Sequence, residues 1–306
     1  MRTRRVGTSD LHVSEISFGT MSIGTDEQQA IKLLHEAQDL GINYFDTADL
    51  YDQGRNEEIV GKAFKGRRDN IILASKVGNR MNADGNGWHW DASKDYIISQ
   101  VKTSLQRLQT DYLDLYQLHG GTMEDNIDET IDAFETLKKE GLIRYYGISS
   151  IRPNVIREYV KRSNIVSVMM QYSLLDRRPE EQTLDLLAKN KISVFARGSV
   201  AKGMLSDKTA EKVKQKGSDG LLTYSYEELL AASEKLQLLA KNEQASVTDL
   251  AVCYILQHPA LASAVMGASS LEQVKQNAAL STDRLPDGLY AQLQQITKPI
   301  TYENHR

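Results

Sequence analysis

The sequence predicts an α/β protein, a single (β/α)8 TIM barrel over residues 1–306 with a short N-terminal β-hairpin and a C-terminal helix. Short apolar runs alternate with longer amphipathic segments along the chain, as they do when a helix follows each strand of a parallel barrel. A length of 306 residues is ordinary for one such barrel. A doubly wound open sheet is the alternative, but no G-x-G-x-x-G turn follows the first predicted strand.

The elements are predicted in the following order. Arg4-Arg5-Val6 and Leu11-His12-Val13 flank a Gly-Thr-Ser-Asp turn at 7–10 and predict the hairpin. Eight further apolar runs predict the barrel strands, at residues 16–19, 43–46, 71–77, 113–119, 145–149, 168–172, 193–197 and 264–267. Between them, apolar residues at spacings of three and four predict amphipathic helices. Asn56 precedes two glutamates and is interpreted as the N-cap of one of these helices.

Two irregular stretches interrupt the alternation. Residues 78–93 contain both tryptophans of the chain, and residues 206–225 are rich in Lys, Gly and Ser. In a barrel, both would be loops over the carboxyl ends of the strands, where long loops form sites or lids. The second stretch is explained equally well as a solvated insertion without function.

Composition restricts the partners. Charged residues make up 25% of the chain and the net charge is −4 with both signs scattered, which argues against nucleic-acid and membrane partners. No apolar run approaches the roughly 20 residues of a membrane span, and nothing resembles a signal peptide. The single Cys253 excludes an intramolecular disulfide and predicts a cytoplasmic protein. The oligomeric state stays open, and a monomer is compatible with the sequence.

Polar side chains stand at or just after the predicted strands, and a barrel brings such positions to one face. Asp46, Lys76 and His119 are three of them, and Tyr51 lies in the loop after the Asp46 strand. A phenol is a poor proton donor near neutral pH unless a nearby ammonium favours the phenolate. Asp46 would hold Lys76, which would act on Tyr51. His119 would orient a substrate carbonyl or assist proton relay at low pH.

These four residues predict one acid–base site that protonates a developing alkoxide, with hydride from a reduced cofactor. Each residue alone has a structural explanation, such as a helix cap, a lysine that extends to solvent, a core histidine or a loop tyrosine. Other chemistries have less support. The six histidines show no H-x-x-x-H or H-x-H spacing, so no metal site is predicted. There is no G-x-S-x-G elbow, no phosphate loop, and no strand-end pair of glutamates as in some hydrolases.

Six motifs, in order, resemble those of the aldo-keto reductases. They are D-T-A-D-L-Y at 46–51, the Lys76 strand, Y-L-D-L-Y-Q-L-H at 112–119, G-L-I-R-Y-Y-G-I-S at 141–149, M-Q-Y-S-L-L-D-R at 170–177 and G-A-S-S-L-E-Q-V-K-Q-N at 267–277. The resemblance runs from about residue 5 to about residue 279. It implies a barrel, a small-molecule carbonyl substrate, and the catalytic residues Asp46, Tyr51, Lys76 and His119, with Tyr51 as the general acid.

The resemblance also implies that the cofactor is NADPH, in preference to NADH. Ser149 and Gln171 would hold the nicotinamide carboxamide, and the N-terminus of a helix starting near Leu271 would face the adenosine end. The implied cofactor-binding residues are Gly19, Thr20, Met21, Asp46, Ser149, Gln171, Arg197, Gly198, Ser199, Val200, Lys202, Gly203, Lys208, Gly267, Ser269, Gln273 and Asn277. Substrate contacts are assigned to Met21, Tyr51, Trp88, Trp90 and His119.

Four positions depart from the family's usual pattern. Ser150 stands where an asparagine is common, and Asp52 replaces a glycine that often follows the catalytic tyrosine. Arg197 replaces an aromatic ring against the nicotinamide, and its guanidinium could stack on that ring or turn to the pyrophosphate. Ser270 replaces a basic residue that clamps a 2′-phosphate.

The sequence therefore predicts an NADPH-dependent oxidoreductase that reduces aldehydes and ketones. The A-R-G-S-V-A-K-G stretch at 196–203 resembles the bacterial branch of the family. A cofactor-sensing or regulatory subunit is the alternative, because the family includes channel-associated β subunits with the same barrel. The intact four-residue site favours the enzyme.

Overall fold

A computed structural model describes residues 1–306 and contains a closed barrel of eight parallel strands, as predicted. The strands are β1 (Ile16–Gly19), β2 (Tyr44–Asp46), β3 (Ile72–Val77), β4 (Leu113–Leu118), β5 (Ile143–Ser149), β6 (Ser167–Gln171), β7 (Ser193–Arg197) and β8 (Leu261–Gly267). Each pairs with the next in sequence, and β8 pairs with β1 to close the barrel. All eight overlap the predicted runs.

Helices cover the outside of the barrel and bury their apolar faces against it. They are α1 (Glu27–Asp39), α2 (Arg55–Phe64), α3 (Lys94–Leu108), α4 (Ile127–Lys139), α5 (Pro153–Arg162), α6 (Thr183–Lys189), α7 (Thr209–Lys216), α8 (Tyr226–Asn242), α9 (Val247–Leu256), α10 (Leu271–Ala278) and α11 (Asp287–Ile296). Ser225 and Ser246 each begin a helix with a reciprocal capping box, which satisfies exposed backbone N–H groups. None of the helices has the length and apolar character needed to cross a bilayer.

The N-terminal hairpin closes the amino-terminal end of the barrel. Its strands, Thr3–Arg5 and His12–Ser14, pair antiparallel and confirm the predicted hairpin. Gly7, in the turn at a φ of +52°, lies against the backbone carbonyls of Val166 and Lys191, which precede β6 and β7. The apolar side chains of the hairpin join the core inside the barrel. Polar residues of the predicted site, among them Asp46, Ser149 and Gln171, lie at the opposite end, where the strands finish.

The two stretches predicted as irregular contain regular structure. Residues 78–93 include a second hairpin, with strands Asn79–Met81 and Trp88–Trp90. Gly85 and Gly87, at φ values of +76° and +75°, reverse the chain between these strands. The second stretch contains α7. The prediction was wrong at both places because the elements are short and their apolar residues too few to show a period.

Candidate active site

The structure brings the four predicted catalytic side chains together at the carboxyl end of the barrel. Asp46 ends β2, Lys76 lies near the end of β3, and His119 follows β4. Tyr51 begins the 3₁₀ segment Tyr51–Gly54 after β2. The Lys76 ammonium donates to Asp46 Oδ2, to the Thr47 carbonyl oxygen at 2.8 Å and to the Tyr51 hydroxyl at 3.3 Å. One buried cation therefore joins the carboxylate to the phenol.

The ion pair is isolated from solvent. Lys76 is 1% exposed and Asp46 is 3% exposed. Burial by itself would lower the pKa of Lys76, but the attraction and hydrogen bonding of Asp46 and Tyr51 together outweigh it and raise that pKa, so the ammonium stays charged. Gln117 Nε2 donates to the second carboxylate oxygen, Asp46 Oδ1, at 3.2 Å. Each charge thus has hydrogen-bonding partners in place of water.

His119 carries a neutral imidazole. Burial, reinforced by the positive charges of Lys76 and Arg197, lowers the pKa of His119 to about 3. Its ring lies edge-on to Tyr51, with ring centroids 6.1 Å apart. Its buried Nδ1 has no hydrogen-bond partner in the protein. Of the two predicted roles, the neutral ring favours orientation of a carbonyl over proton relay at low pH.

The loop that carries Tyr51 has an unusual backbone. Asp52, Gln53 and Gly54 take φ values of +48°, +55° and +89° in succession. The φ of Asp52 explains why a glycine is common at that position, since glycine adopts this region without steric cost. Gly54 lies under the Arg107 guanidinium, where an added Cβ would come within 2.2 Å of the guanidinium carbon. Arg107 is held in turn by the buried Glu57, 3.2 Å away.

Asn56 connects the loops after β1 and β2 and does not cap α2, whose N-cap is Gly54. Asn56 Oδ1 accepts hydrogen bonds from the hydroxyls of Thr20, at 2.6 Å, and Thr47, at 2.8 Å. Its Nδ2 donates to the Thr20 carbonyl oxygen at 3.0 Å. The N-cap prediction was wrong because Asn56 is buried within the first turn, and its partners are distant in sequence.

Sequence reasoning missed Asp49, a second buried carboxyl beside the site. Asp49 is 4% exposed, and Tyr96 donates its hydroxyl to Asp49 Oδ2 at 3.2 Å. Burial, with the nearby Glu57 carboxylate, raises the pKa of Asp49 to about 7. Asp49 lies within the D-T-A-D-L-Y motif at 46–51, but the motif does not report its burial, because its environment is built by residues from α2 and α3.

The residues predicted to contact substrate differ in accessibility. Met21 and Trp88 are 66% and 52% exposed. Trp90 is partly buried, and its indole Nε1 donates to Asp125 Oδ1 at 2.8 Å. Its ring packs against Gly78 and Gly120, the residues next to β3 and His119. Trp90 therefore forms part of the wall beside the predicted catalytic side chains, and Met21 and Trp88 offer apolar surface to solvent.

The residues predicted to hold the nicotinamide lie at neighbouring strand ends. Ser149 ends β5, Gln171 ends β6 and Arg197 ends β7. Arg197 is exposed, and its Nη1 donates to Gln171 Oε1 at 3.3 Å. Thr20 and Ser199 have buried hydroxyls that bond to the protein itself, the latter to the Ala196 carbonyl oxygen at 3.1 Å. The protons of both hydroxyls therefore already have acceptors within the protein.

The remaining predicted cofactor residues lie in two loops. Residues 198–203 follow β7, with Val200 partly buried and Gly198, Lys202 and Gly203 at positive φ. Lys208 is exposed just before α7. Gly19 ends β1, and Gly267 ends the paired β8. Gln273 Oε1 accepts from the Ser269 backbone N–H at 2.8 Å, and Asn277 Nδ2 donates to the Gly267 carbonyl oxygen at 3.2 Å.

The helix expected near Leu271 is present as α10, and Ser270 is its N-cap. The side chain of Ser270 accepts a hydrogen bond from the Gln273 backbone N–H at 3.3 Å. The N-terminus of α10 thus opens beside Gly267 and Ser269 and is suited to an anion. No group of three or more His, Cys, Asp or Glu side chains is arranged to hold a metal ion.

Comparisons with known proteins agree with this architecture. A model of the aldo/keto reductase family matches residues 15–298. The oxidoreductase YqkF of Bacillus subtilis (strain 168) is 57% identical over 311 residues, covering 100% of each chain. The NADH-specific methylglyoxal reductase of Escherichia coli (strain K12) is 30% identical over 311 residues, covering 94% of this chain and 95% of the relative.

Two solved structures are also similar. The holo form of aldo-keto reductase AKR11C1 from Bacillus halodurans has a TM-score of 0.92 and 55% identity, covering 100% of this chain and 99% of its own. An aldo/keto reductase from Klebsiella pneumoniae, in complex with NADP and acetate, has a TM-score of 0.79 and 28% identity, covering 99% and 98%.

The fold and these similarities define an oxidoreductase built on an α/β barrel. The chain belongs to the aldo-keto reductase family, which confirms the resemblance carried by its motifs. It is an enzyme, and relatives of known structure bind NADP or NADPH.

The buried ion pair leads to a prediction about stability. We expect Lys76→Met to lower the free energy of unfolding by about 3–5 kcal/mol, because it leaves the Asp46 carboxylate buried without a counter-charge. The double variant Asp46→Asn/Lys76→Met should recover most of that loss, since no uncompensated charge remains. Urea denaturation at neutral pH measures both. Equal stability of the single variant and the wild type would contradict the ion pair.

The raised pKa of Asp49 leads to a second prediction. Its folded pKa of about 7 exceeds the ordinary value of roughly 3.9, so the folded protein binds this proton more tightly than the unfolded chain. Stability from this group is therefore lost as pH rises from about 4 to about 7. We expect Asp49→Asn to be stabilising at pH ~8, by up to about 4 kcal/mol, and neutral near pH ~4.

The control for this prediction is Asp111→Asn, which neutralises an exposed carboxylate. Denaturation curves at the two pH values, compared for both variants and the wild type, isolate the effect of burial. An Asp49→Asn effect of the same size at both pH values would argue against the proton linkage.

Proposed function

We propose that this enzyme reduces aldehydes and ketones to alcohols with NADPH, using Tyr51 as the general acid. The single observation that carries the proposal is the buried Lys76 ammonium that donates both to Asp46 and to the Tyr51 hydroxyl. A structural role for a buried lysine requires only the carboxylate. The additional contact with a phenol at the mouth of the barrel is what acid–base chemistry needs.

The proton steps follow from the order of the contacts. Tyr51 would donate its hydroxyl proton to the substrate oxygen as negative charge develops there. The Lys76 ammonium would stabilise the phenolate left behind, and Asp46 would keep that ammonium charged. The neutral His119 would offer a ring N–H to the same substrate oxygen and so orient the carbonyl. These groups are positioned before the substrate arrives, so little reorganisation is needed during the reaction.

The residues at the other side of the barrel mouth suit a nicotinamide dinucleotide. When bound, this cofactor supplies the hydride, which no amino-acid side chain can provide. Ser149 and Gln171 would bind the carboxamide, and Arg197 would stack on the ring or contact the pyrophosphate. The N-terminus of α10, with Ser269 and Ser270, would receive a phosphate. Near the carboxamide, the proposed cofactor ligands are neutral hydrogen-bonding groups. Where the phosphates would lie, the chain offers N–H groups.

The preference for NADPH is part of the proposal. The Klebsiella pneumoniae structure contains NADP, whereas the Escherichia coli relative is named as NADH-specific. Ser269 and Ser270 provide hydroxyls beside the start of α10 and no cationic clamp. We expect NADPH to bind more tightly than NADH, but by a modest margin because a cationic clamp is lacking. Titration of the two reduced cofactors, followed by intrinsic protein fluorescence, measures both dissociation constants directly.

The decisive experiment compares Tyr51→Phe with the wild type. We expect the variant to lose at least about 100-fold in the rate of NADPH oxidation with an activated aromatic aldehyde, because the proton donor is removed. Its NADPH dissociation constant should stay within about twofold, since the phenol ring is retained. Retained turnover would exclude Tyr51 as the general acid.

The same assay separates the enzyme from a cofactor sensor. A wild type that binds NADPH tightly, does not turn over any carbonyl tested and forms a stable complex with a partner protein would favour the sensor. Turnover in the wild type that is absent from Tyr51→Phe would favour the reductase.

Arg197 gives a further prediction about the cofactor. We expect Arg197→Ala to raise the NADPH dissociation constant about 10-fold, because a cation in contact with the bound dinucleotide is lost. The melting temperature should change little, since Arg197 is exposed. The matched control is Arg284→Ala, which removes another exposed arginine. An unchanged dissociation constant would contradict the contact.

A further inference from the structure

Gln171 is held by charged groups at both ends of its amide. Its Nε2 donates to Asp176 Oδ2 at 2.8 Å, and its Oε1 accepts from Arg197 Nη1 at 3.3 Å. A carboxylate can only accept hydrogen bonds and a guanidinium can only donate them. The amide of Gln171 therefore has one favourable orientation of its two.

Asp176 is itself fixed in place. It is 2% exposed, and Arg178 binds its carboxylate in bidentate geometry. Arg178 Nε donates to Oδ1 and Arg178 Nη2 donates to Oδ2, both at 2.7 Å. Backbone hydrogen bonds join Ser173 and Asp176 in both directions, at 3.0 Å and 3.2 Å. Bidentate pairs of this kind fix geometry as well as add stability. The acceptor presented to Gln171 is thus rigid.

The C-terminal segment supports this arrangement from outside the barrel. The Arg178 guanidinium lies over the ring of Tyr302, 5.0 Å from its centroid, and Tyr302 is 5% exposed. The backbone N–H of Tyr302 donates to Glu181 Oε2 at 3.4 Å. A continuous series of contacts therefore leads from the last residues of the chain to the amide of Gln171.

We propose that Asp176 is a positioning residue that sets the polarity of the Gln171 amide, so that Gln171 offers an acceptor to the amino group of the cofactor's carboxamide. This inference rests on the proposed function of Gln171 as a nicotinamide ligand. Gln171 Oε1 has a second lone pair beyond the bond from Arg197, and the carboxamide amino group would use it. Ser149, on the paired strand β5, would donate its hydroxyl to the carboxamide oxygen.

A flipped Gln171 would have the opposite effect. Its amino group would face both the Arg197 guanidinium and the carboxamide amino group, which places donors against donors. Asparagine at position 176 can accept or donate, so it would permit the flipped orientation as well as the native one. The charge of Asp176, together with the Arg197 guanidinium, therefore holds Gln171 in the orientation that selects the cofactor's carboxamide.

The test measures discrimination between two oxidised cofactors, NADP+ and its 3-acetylpyridine analogue, which has a methyl group in place of the carboxamide amino group. We expect the wild type to bind NADP+ about 5- to 10-fold more tightly than the analogue, the range of one hydrogen bond. Asp176→Asn should weaken NADP+ binding by a similar factor and leave binding of the analogue within about twofold. Isothermal titration calorimetry gives all four dissociation constants.

A merely structural role for Asp176 predicts a different result, because general distortion would weaken both cofactors equally. Equal loss for both, or discrimination retained in Asp176→Asn, would overturn the inference and leave the reductase proposal intact. A wild type that binds both cofactors equally would overturn it too. A wild type that binds neither would overturn the proposed cofactor site itself, and the positioning role with it.

Two further variants test whether misfolding explains a change in the dissociation constants. Asp185→Asn, which neutralises an exposed carboxylate of α6, should leave both dissociation constants unchanged. Arg178→Gln keeps Asp176 but removes its bidentate partner, and we expect it to lose part of the discrimination, about two- to threefold. If Asp176→Asn does not fold, the ratio measured in Arg178→Gln decides: a ratio equal to that of the wild type would overturn the inference.

Discussion

The ion pair of Lys76 and Asp46 is the constraint on which the rest of the active site depends. Two charges without solvent cost several kcal/mol each unless hydrogen bonds and mutual attraction replace the lost water. Here the ammonium has three oxygen partners, and the carboxylate is also bonded by Gln117. Strands β2, β3 and β4 must therefore keep their register for the pair to persist. Such a pair contributes little net stability, which is why a chemical role explains it better.

A second set of contacts holds Tyr51, the proposed general acid, to this pair. Three successive residues after Tyr51 have positive φ, a conformation that costs of order 1–3 kcal/mol for each non-glycine residue. Arg107 covers Gly54 from α3, and Asn56 joins the neighbouring loops from α2. Strain of this kind persists only where many surrounding contacts hold the backbone in that conformation. The position of the phenol is thus set by helices outside the barrel as well as by its strands.

The sequence was informative where the signal is local and limited where partners are distant. All eight strands followed from apolar runs, and the positions of Asp46, Lys76 and His119 followed from polar residues at strand ends. The hairpin that carries Trp88 and Trp90 was not predicted, because three-residue strands show no period. The roles of Asn56, Asp49 and Asp176 depend on burial and on side chains that the folded chain brings together. No sequence pattern reports either property.

The site has two parts that differ in how readily their residues tolerate substitution. Asp46 and Lys76 are buried, and Tyr51 and His119 are partly buried, so most substitutions at the ion pair would leave a charge or a donor without a partner. The residues predicted to contact substrate include the exposed Met21 and Trp88 beside the partly buried Trp90. Exposed loop residues can change with small effects on stability, commonly within about 0.5 kcal/mol. In the proposed reductase, the reaction type would therefore depend on the interior of the barrel mouth, whereas the choice of carbonyl substrate would depend on loops that the fold tolerates in many forms.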